Sequence, residues 1–325
     1  MSEVDSLNPN DDTHQAGEPP PALQQRRLVR VGRLGCLLAL ALPIIFVLLF
    51  ILTTGPELTS LGANWLEQSA RRPDLSEQIL KNALLIWPGN ARLHDNLGQI
   101  YLRRGVLEQA RSAFQKAVAL DPELAVAHND LGVAYLSAGK PEDALTEFQT
   151  AALLDAGSSI IYLNLGRAYL ANGQYKPALD SFQQAANLEP DDIAAWLLAG
   201  QAALAGDDLS RASKSYETAF QAEATNQQAL LGLGVTRLLQ ERPGDALGYL
   251  DVACILSPDD AVAHYFLGVA LAALQHPSEA RVEYQQALAL SKDPALVAQA
   301  AKHLEMLHDL PGGNARQGGG QKSNP

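Results

Sequence analysis

The sequence predicts an all-α chain: a solenoid of about seven helix-turn-helix units, closed by a capping helix and preceded by one transmembrane helix. Three observations predict it. Alanine recurs at one fixed step, at Ala83, Ala117, Ala151, Ala185, Ala219, Ala253 and Ala287, and again at Ala110, Ala144, Ala178, Ala212, Ala246 and Ala280. Glycine keeps the same step at Gly98, Gly132, Gly166, Gly200, Gly234 and Gly268. A fixed period of this length marks a stacked repeat, in which each unit buries its apolar face against its neighbours. The third observation is an apolar run near the N-terminus, Leu34 to Leu52, without a single charge.

Residues 1–25 carry Glu3, Asp5, Asp11, Asp12 and Glu18, no Lys or Arg, and the run Pro19-Pro20-Pro21. With too little apolar surface to offset chain entropy, residues 1–33 are expected to form a disordered tail ending in a basic flank. As a helix, the run from Leu34 to Leu52 would rise roughly 28 Å, the thickness of a hydrocarbon core. A cleaved signal peptide fits poorly, because the run is long, a full tail precedes it, and TTGPEL after it offers no small-x-small site. Residues 34–54 are therefore expected to be an uncleaved anchor. Arg26, Arg27, Arg30 and Arg33 precede it, while Arg71 and Arg72 beyond it are offset by Glu57 and Glu67. The positive-inside bias then holds the N-terminus in the cytoplasm and places the repeats beyond the membrane, on the periplasmic side in a bacterium.

Within a period, two amphipathic helices are expected. In the unit beginning at Ala91, Leu93, Leu97, Ile100 and Tyr101 share one face, and Gly105 ends the first helix. Ala110, Phe114, Ala117 and Val118 face inward from a second helix over about Leu107 to Leu120, which Asp121-Pro122 ends. The units run 91–124, 125–158, 159–192, 193–226, 227–260 and 261–294. A degenerate first unit over 57–90 keeps Leu80, Ala83 and Pro88 but has Asn64 and Ser76 at the small-residue positions. A capping helix follows over 295–310, and 311–325 is a Gly-rich tail expected to be disordered.

The unit resembles the tetratricopeptide repeat, which carries Trp-x2-Leu-Gly-x2-Tyr, then Ala-x3-Phe, a further Ala and a Pro in a period of about 34 residues. His94, Leu97, Gly98, Tyr101, Gly105, Ala110, Phe114, Ala117 and Pro122 occupy those positions in order, and the two following units repeat them closely. Arg237 stands where a tyrosine is usual. The resemblance implies a right-handed solenoid that binds partner-protein segments, extended or helical, in a groove lined by the first helix of each unit. The residues it points to are Arg92, Asp95, Gln99, Asn129, Val133, Leu163, Arg167, Leu197, Gln201, Leu231, Val235 and Tyr265, so the groove should turn from polar to apolar toward the C-terminus. The variant that grips a C-terminal carboxylate needs Lys and Asn at two of these positions; Asp95 with Gln99, and Asn129 with Val133, do not supply them.

Other chemistry is disfavoured. Residues 57–309 hold 31 acids against 18 bases, the wrong sign for a nucleic-acid partner. The two cysteines, Cys36 and Cys254, make neither a disulfide framework nor a zinc motif. His94, His128 and His264 share one repeat position but should lie about 10 Å apart, the spacing of packed helices, so they read as packing groups with no metal role. His303 and His308 miss the i, i+4 spacing of a helical pair. No GxGxxG, P-loop, GxSxG or HExxH motif occurs. No cofactor, metal or enzymatic activity is expected. The expected role is a membrane-anchored scaffold or assembly factor for an envelope complex. The alternative is a permanent structural subunit whose groove is filled by a neighbouring chain.

Overall fold

The structure, a computed structural model, describes Gly55 and residues 73–308. The expected tail (1–33), anchor (34–54) and C-terminal tail (311–325) lie outside the described residues, as does most of the degenerate first unit. Among the described residues no helix is long and apolar enough to cross a membrane.

Fourteen helices and no strand occur among the described residues. The chain divides after Trp87 into two compact units. The first contains α1 (Pro73–Ile86), which starts on a proline, carries Asp74 in its first turn and pairs Lys81 with Glu77 at 2.6 Å, one turn apart.

The second unit alternates 13-residue and 14-residue helices: α2 (Ala91–Arg103), α3 (Leu107–Leu120), α4 (Ala125–Ser137), α5 (Pro141–Leu154), α6 (Ser159–Ala171) and α7 (Tyr175–Leu188). The series continues with α8 (Ile193–Ala205), α9 (Leu209–Ala222), α10 (Gln227–Leu239), α11 (Pro243–Leu256), α12 (Ala261–Ala273), α13 (Pro277–Leu290) and α14 (Pro294–His308). Successive first helices begin one period apart, the step of the alanine columns. Within this unit every helix packs on its sequence neighbours, and several first helices also touch the next first helix, as α2 touches α4 and α10 touches α12. The second helices form no such layer, so the even-numbered helices make the inner face.

Local chemistry sets the ends. Side chains of Asn90, Asp192, Asp208, Asn226 and Asp260 accept hydrogen bonds from backbone N–H groups of the first turn, satisfying donors the helix itself leaves open. Pro141, Pro243 and Pro277 begin helices at a position where no N–H is needed. The turn between paired helices needs one residue in the left-handed region. Gly105, Gly139 and Gly173 supply it at φ near +70°, but the same position is Asp207, Glu241 and Gln275 in the later units, with φ of 60°, 58° and 64°.

Both alanine columns are buried, at 0–1 % exposure throughout. The glycine column has a different cause. A Cβ on Gly98, Gly132 or Gly166 would fall 2.6–2.7 Å from the ring of Phe114, Phe148 or Phe182, which lies flat on the glycine from the second helix of the same unit. Tyr216 and Tyr284 fill this place against Gly200 and Gly268, and Leu250 fills it against Gly234.

Candidate partner-binding groove

The inner face changes character along its length. At the N-terminal end a chain of polar side chains crosses three first helices. Gln99 Nε2 donates to Asp95 Oδ2 at 3.2 Å and to Asp130 Oδ2 at 2.7 Å. Asn129 Nδ2 donates to Asp130 Oδ1 at 3.0 Å, Asn164 Nδ2 to Asn129 Oδ1 at 2.9 Å, and Arg167 Nη1 to Asn164 Oδ1 at 3.3 Å. Burial, reinforced by the Asp130 charge, pushes the Asp95 carboxyl up to about 8, with the Gln99 amide opposing. Burial likewise raises Asp130, against the pull of Gln99, Asn129 and the Arg103 charge.

Toward the C-terminus the same face holds a cavity of about 470 Å³ lined by Arg167, Leu197, Gln201, Leu231, Val235 and Phe266, among others. Leu197, Leu231 and Val235 are half-buried, and Arg167 and Gln201 are exposed. Covering such apolar walls is favourable by roughly 25 cal/mol per Å² removed from water.

Of the residues read from the sequence, Arg167, Leu197, Gln201, Leu231 and Val235 therefore meet in one cavity, and Asp95, Gln99 and Asn129 meet in the polar chain. Arg92 is exposed on α2, while Val133 and Leu163 pack partly on core side chains. Tyr265 is more enclosed than its place on the first helix suggests. It is 8 % exposed, its ring 5.9 Å from Tyr284 and 5.6 Å from His303, because α14 packs on the last unit and draws the ring inward. Asp95 and Asn129 are also buried, at 5 % and 8 %. Asp130 and Asn164, and further along Leu198 and Phe266, were missed. They follow the expected contact positions by one residue, and the polar step Asn96, Asp130, Asn164 was the available signal.

The repeated histidine position has a simple use. His94, His128 and His264 place Nε2 2.9–3.1 Å from the carbonyl oxygens of Pro88, Pro122 and Pro258, earlier in the chain by the same short step each time. Trp196 does the same with Pro190, and since indole N–H can only donate, the matching Nε2 is assigned as the donor. Where the proline is replaced by Ala156 or Ala224, the position carries Tyr162 or Leu230.

Nδ1 of His128 and of His264 lies 2.7 and 2.6 Å from Glu147 and Glu283. Ligand atoms of Cys254, His264 and Glu283 all fall within 4.8 Å of one another, a proximity that spacing along the chain does not reveal. The His–Glu pair recurs at His128 and Glu147, where Val118 stands in place of Cys254, so the pair belongs to the repeat and is not built around the thiol. Burial, with Glu283, Asp251 and Asp260 adding, pushes that thiol up to about 12, which opposes the thiolate a metal would need.

Stacked helix pairs with an inner groove define a helical-repeat protein. Three family models place the repeat: a TPR repeat at residues 98–139 and tetratricopeptide repeats at 135–202 and 197–261. The chain carries tetratricopeptide repeats. No curated protein matches the sequence. Among solved structures, it is similar to Pseudomonas aeruginosa pilF (20 % identity, 66 % of this chain and 97 % of that one, TM-score 0.54). It is also similar to YrrB, described as a TPR protein with an unusual peptide-binding site (22 % identity, 59 % and 99 %, TM-score 0.51). A third is the C-terminal part of a repeat protein from Cytophaga hutchinsonii (12 % identity, 74 % and 98 %, TM-score 0.60). At these identities the likeness concerns the fold.

Proposed function

We propose that this protein is a scaffold that binds segments of partner proteins along the inner face of its repeats, held at a membrane by residues 34–54 and serving the assembly of an envelope complex. The cavity on the inner face, with half-buried Leu197, Leu231 and Val235 beside exposed Arg167 and Gln201, carries the binding reading. A groove of this mixed lining takes apolar side chains from a partner while its polar groups fix register. The repeats themselves support it, since proteins built from them act as protein-interaction scaffolds. The anchor and an orientation with the repeats beyond the cytoplasm rest on the uncharged run and the four preceding arginines.

Affinity capture with the full-length protein tests the binding role. Leu231→Asp with Arg167→Ala should abolish recovery of partners, whereas Leu153→Asp, at a site 87 % exposed on α5, should not. The opposite pattern contradicts the groove. A reporter fused after Pro325 should be active outside the cytoplasm, and activity confined to the cytoplasm contradicts the orientation.

A further inference from the structure

At the N-terminal end of the inner face a neutral amide bridges the carboxyls of Asp95 and Asp130, and the Arg103 charge acts on Asp130. Asp95 is only 5 % exposed, and its Oδ1 has no hydrogen-bond partner among the described residues. A buried acceptor left open carries an unrecovered desolvation penalty. Asp95 and Asp130 come from successive first helices, α2 and α4, and Gln99 Nε2 bridges them. An amide nitrogen carries two N–H groups and no charge, so it leaves both carboxyls biased toward their neutral form, whereas a cation between them would favour the ionised, acceptor-only form. An ammonium or guanidinium in that place would satisfy more of the carboxylate acceptor sites and with charge assistance. The polar chain runs from this pair to Arg167, which also lines the apolar cavity, so pair and cavity lie along one continuous face. The excess of 31 acids over 18 bases in residues 57–309 favours a basic visitor.

We propose that Asp95 and Asp130 form a subsite for one lysine or arginine side chain of the bound partner segment, which displaces the Gln99 amide. The proposal rests on the groove reading above and adds a charge requirement to it. A partner segment would carry a basic residue toward one end and apolar residues that enter the cavity toward the other. Gln99 holds the empty site closed, and its flexible side chain can swing away at small cost.

A random dodecapeptide library displayed on phage, selected against the full-length protein in detergent, tests this. The wild type should enrich one basic position at a fixed spacing from apolar ones. Replacing that basic residue by norleucine in a synthetic peptide should weaken binding about tenfold. Asp95→Asn and Asp130→Asn should remove the preference. Gln99→Lys should remove it too while raising the melting temperature, because the new ammonium fills the site from within, and that rise separates loss of binding from loss of fold. Selection of apolar peptides that depend on Leu231 but show no basic preference overturns the subsite and leaves the groove intact. Peptides that depend on neither end overturn both.

Discussion

Residues 91–192 and 193–294 are three repeats each, on one shared frame, yet they solve the same problems differently. In the first half a glycine makes the turn within every repeat, a phenylalanine covers every glycine of the first helices, and the inner face is polar. In the second half the turns use Asp207, Glu241 and Gln275, the covering side chains are Tyr216, Leu250 and Tyr284, and the inner face is an apolar cavity. The difference teaches that the frame needs only small residues at the helix crossings. Turn, covering side chain and inner-face lining can then vary independently of one another.

The largest contrast should come from the glycine column. Gly132→Ala drives a Cβ to 2.7 Å from the ring of fully buried Phe148 and should cost about 2–3 kcal/mol. Gly234→Ala drives a Cβ to 2.5 Å from fully buried Leu250, an aliphatic side chain that can re-seat more readily than a ring, and should cost about 1–2 kcal/mol. Urea unfolding followed by circular dichroism measures both, and equal losses would erase the distinction between an aromatic and an aliphatic covering side chain.

Next comes an opposed response to pH. Asp95 is raised in the folded state, so its neutral form is the one the fold tolerates; its contribution is complete below the ordinary carboxylate range and is lost as pH rises toward about 8. His303, bonded through Nδ1 to the Tyr284 hydroxyl at 3.0 Å, is lowered by burial and then by Lys302. Its contribution is present above the ordinary value of 6.5 and is lost as pH falls below it. Hydrogen exchange, corrected for the intrinsic rate, should therefore show α2 and α4 loosening toward alkaline pH and α14 loosening toward acid. Asp95→Asn should flatten the first trend and leave the second.

A smaller effect sits in the turns. A non-glycine residue at positive φ is strained by about 1 kcal/mol or more, partly offset by the entropy glycine loses on folding. Asp207→Gly, Glu241→Gly and Gln275→Gly should each stabilise by about 0.5 kcal/mol, while Gly139→Ala should destabilise by about 1 kcal/mol. Thermal melts of the four variants measure this, and stabilisation by none of the three would show the later turns to be unstrained.

The smallest concerns a swap between the halves. Tyr135 and Tyr169 hydroxyls accept from Gln115 and Gln149 at 3.1 and 2.9 Å, and at the equivalent place Arg237 pairs with Glu217. Converting that pair with Arg237→Tyr and Glu217→Gln should change stability by less than about 1 kcal/mol, with either single change costing more than the double. A double mutant worse than both singles would show that the pairs are not equivalent.

The frame was legible because its cause is periodic: a small residue is required wherever two helices cross, so the crossings appear as alanine and glycine columns. Aspartates before first turns and prolines at helix starts are likewise local and readable. The site was only half legible. A helix face read at fixed positions found Asp95, Gln99 and Arg167 but missed Asp130, Asn164 and Phe266, because neighbouring first helices rotate the next residue into the groove as well. The burial of Tyr265 was not legible because its environment is set by α14, a full period further along the chain. The Cys254, His264 and Glu283 proximity joins three helices and has no trace in spacing.

Partner binding on the inner face can be read out position by position. A photo-crosslinking amino acid placed in turn at Leu197, Gln201 and Gln228, all lining the cavity, and at Leu153 and Ile255 on second helices, tests it most directly in living cells. Crosslinks to partner proteins from the three cavity positions and none from the two outer ones are the predicted result. Crosslinks from Leu153 or Ile255 with silence at the cavity would contradict the account.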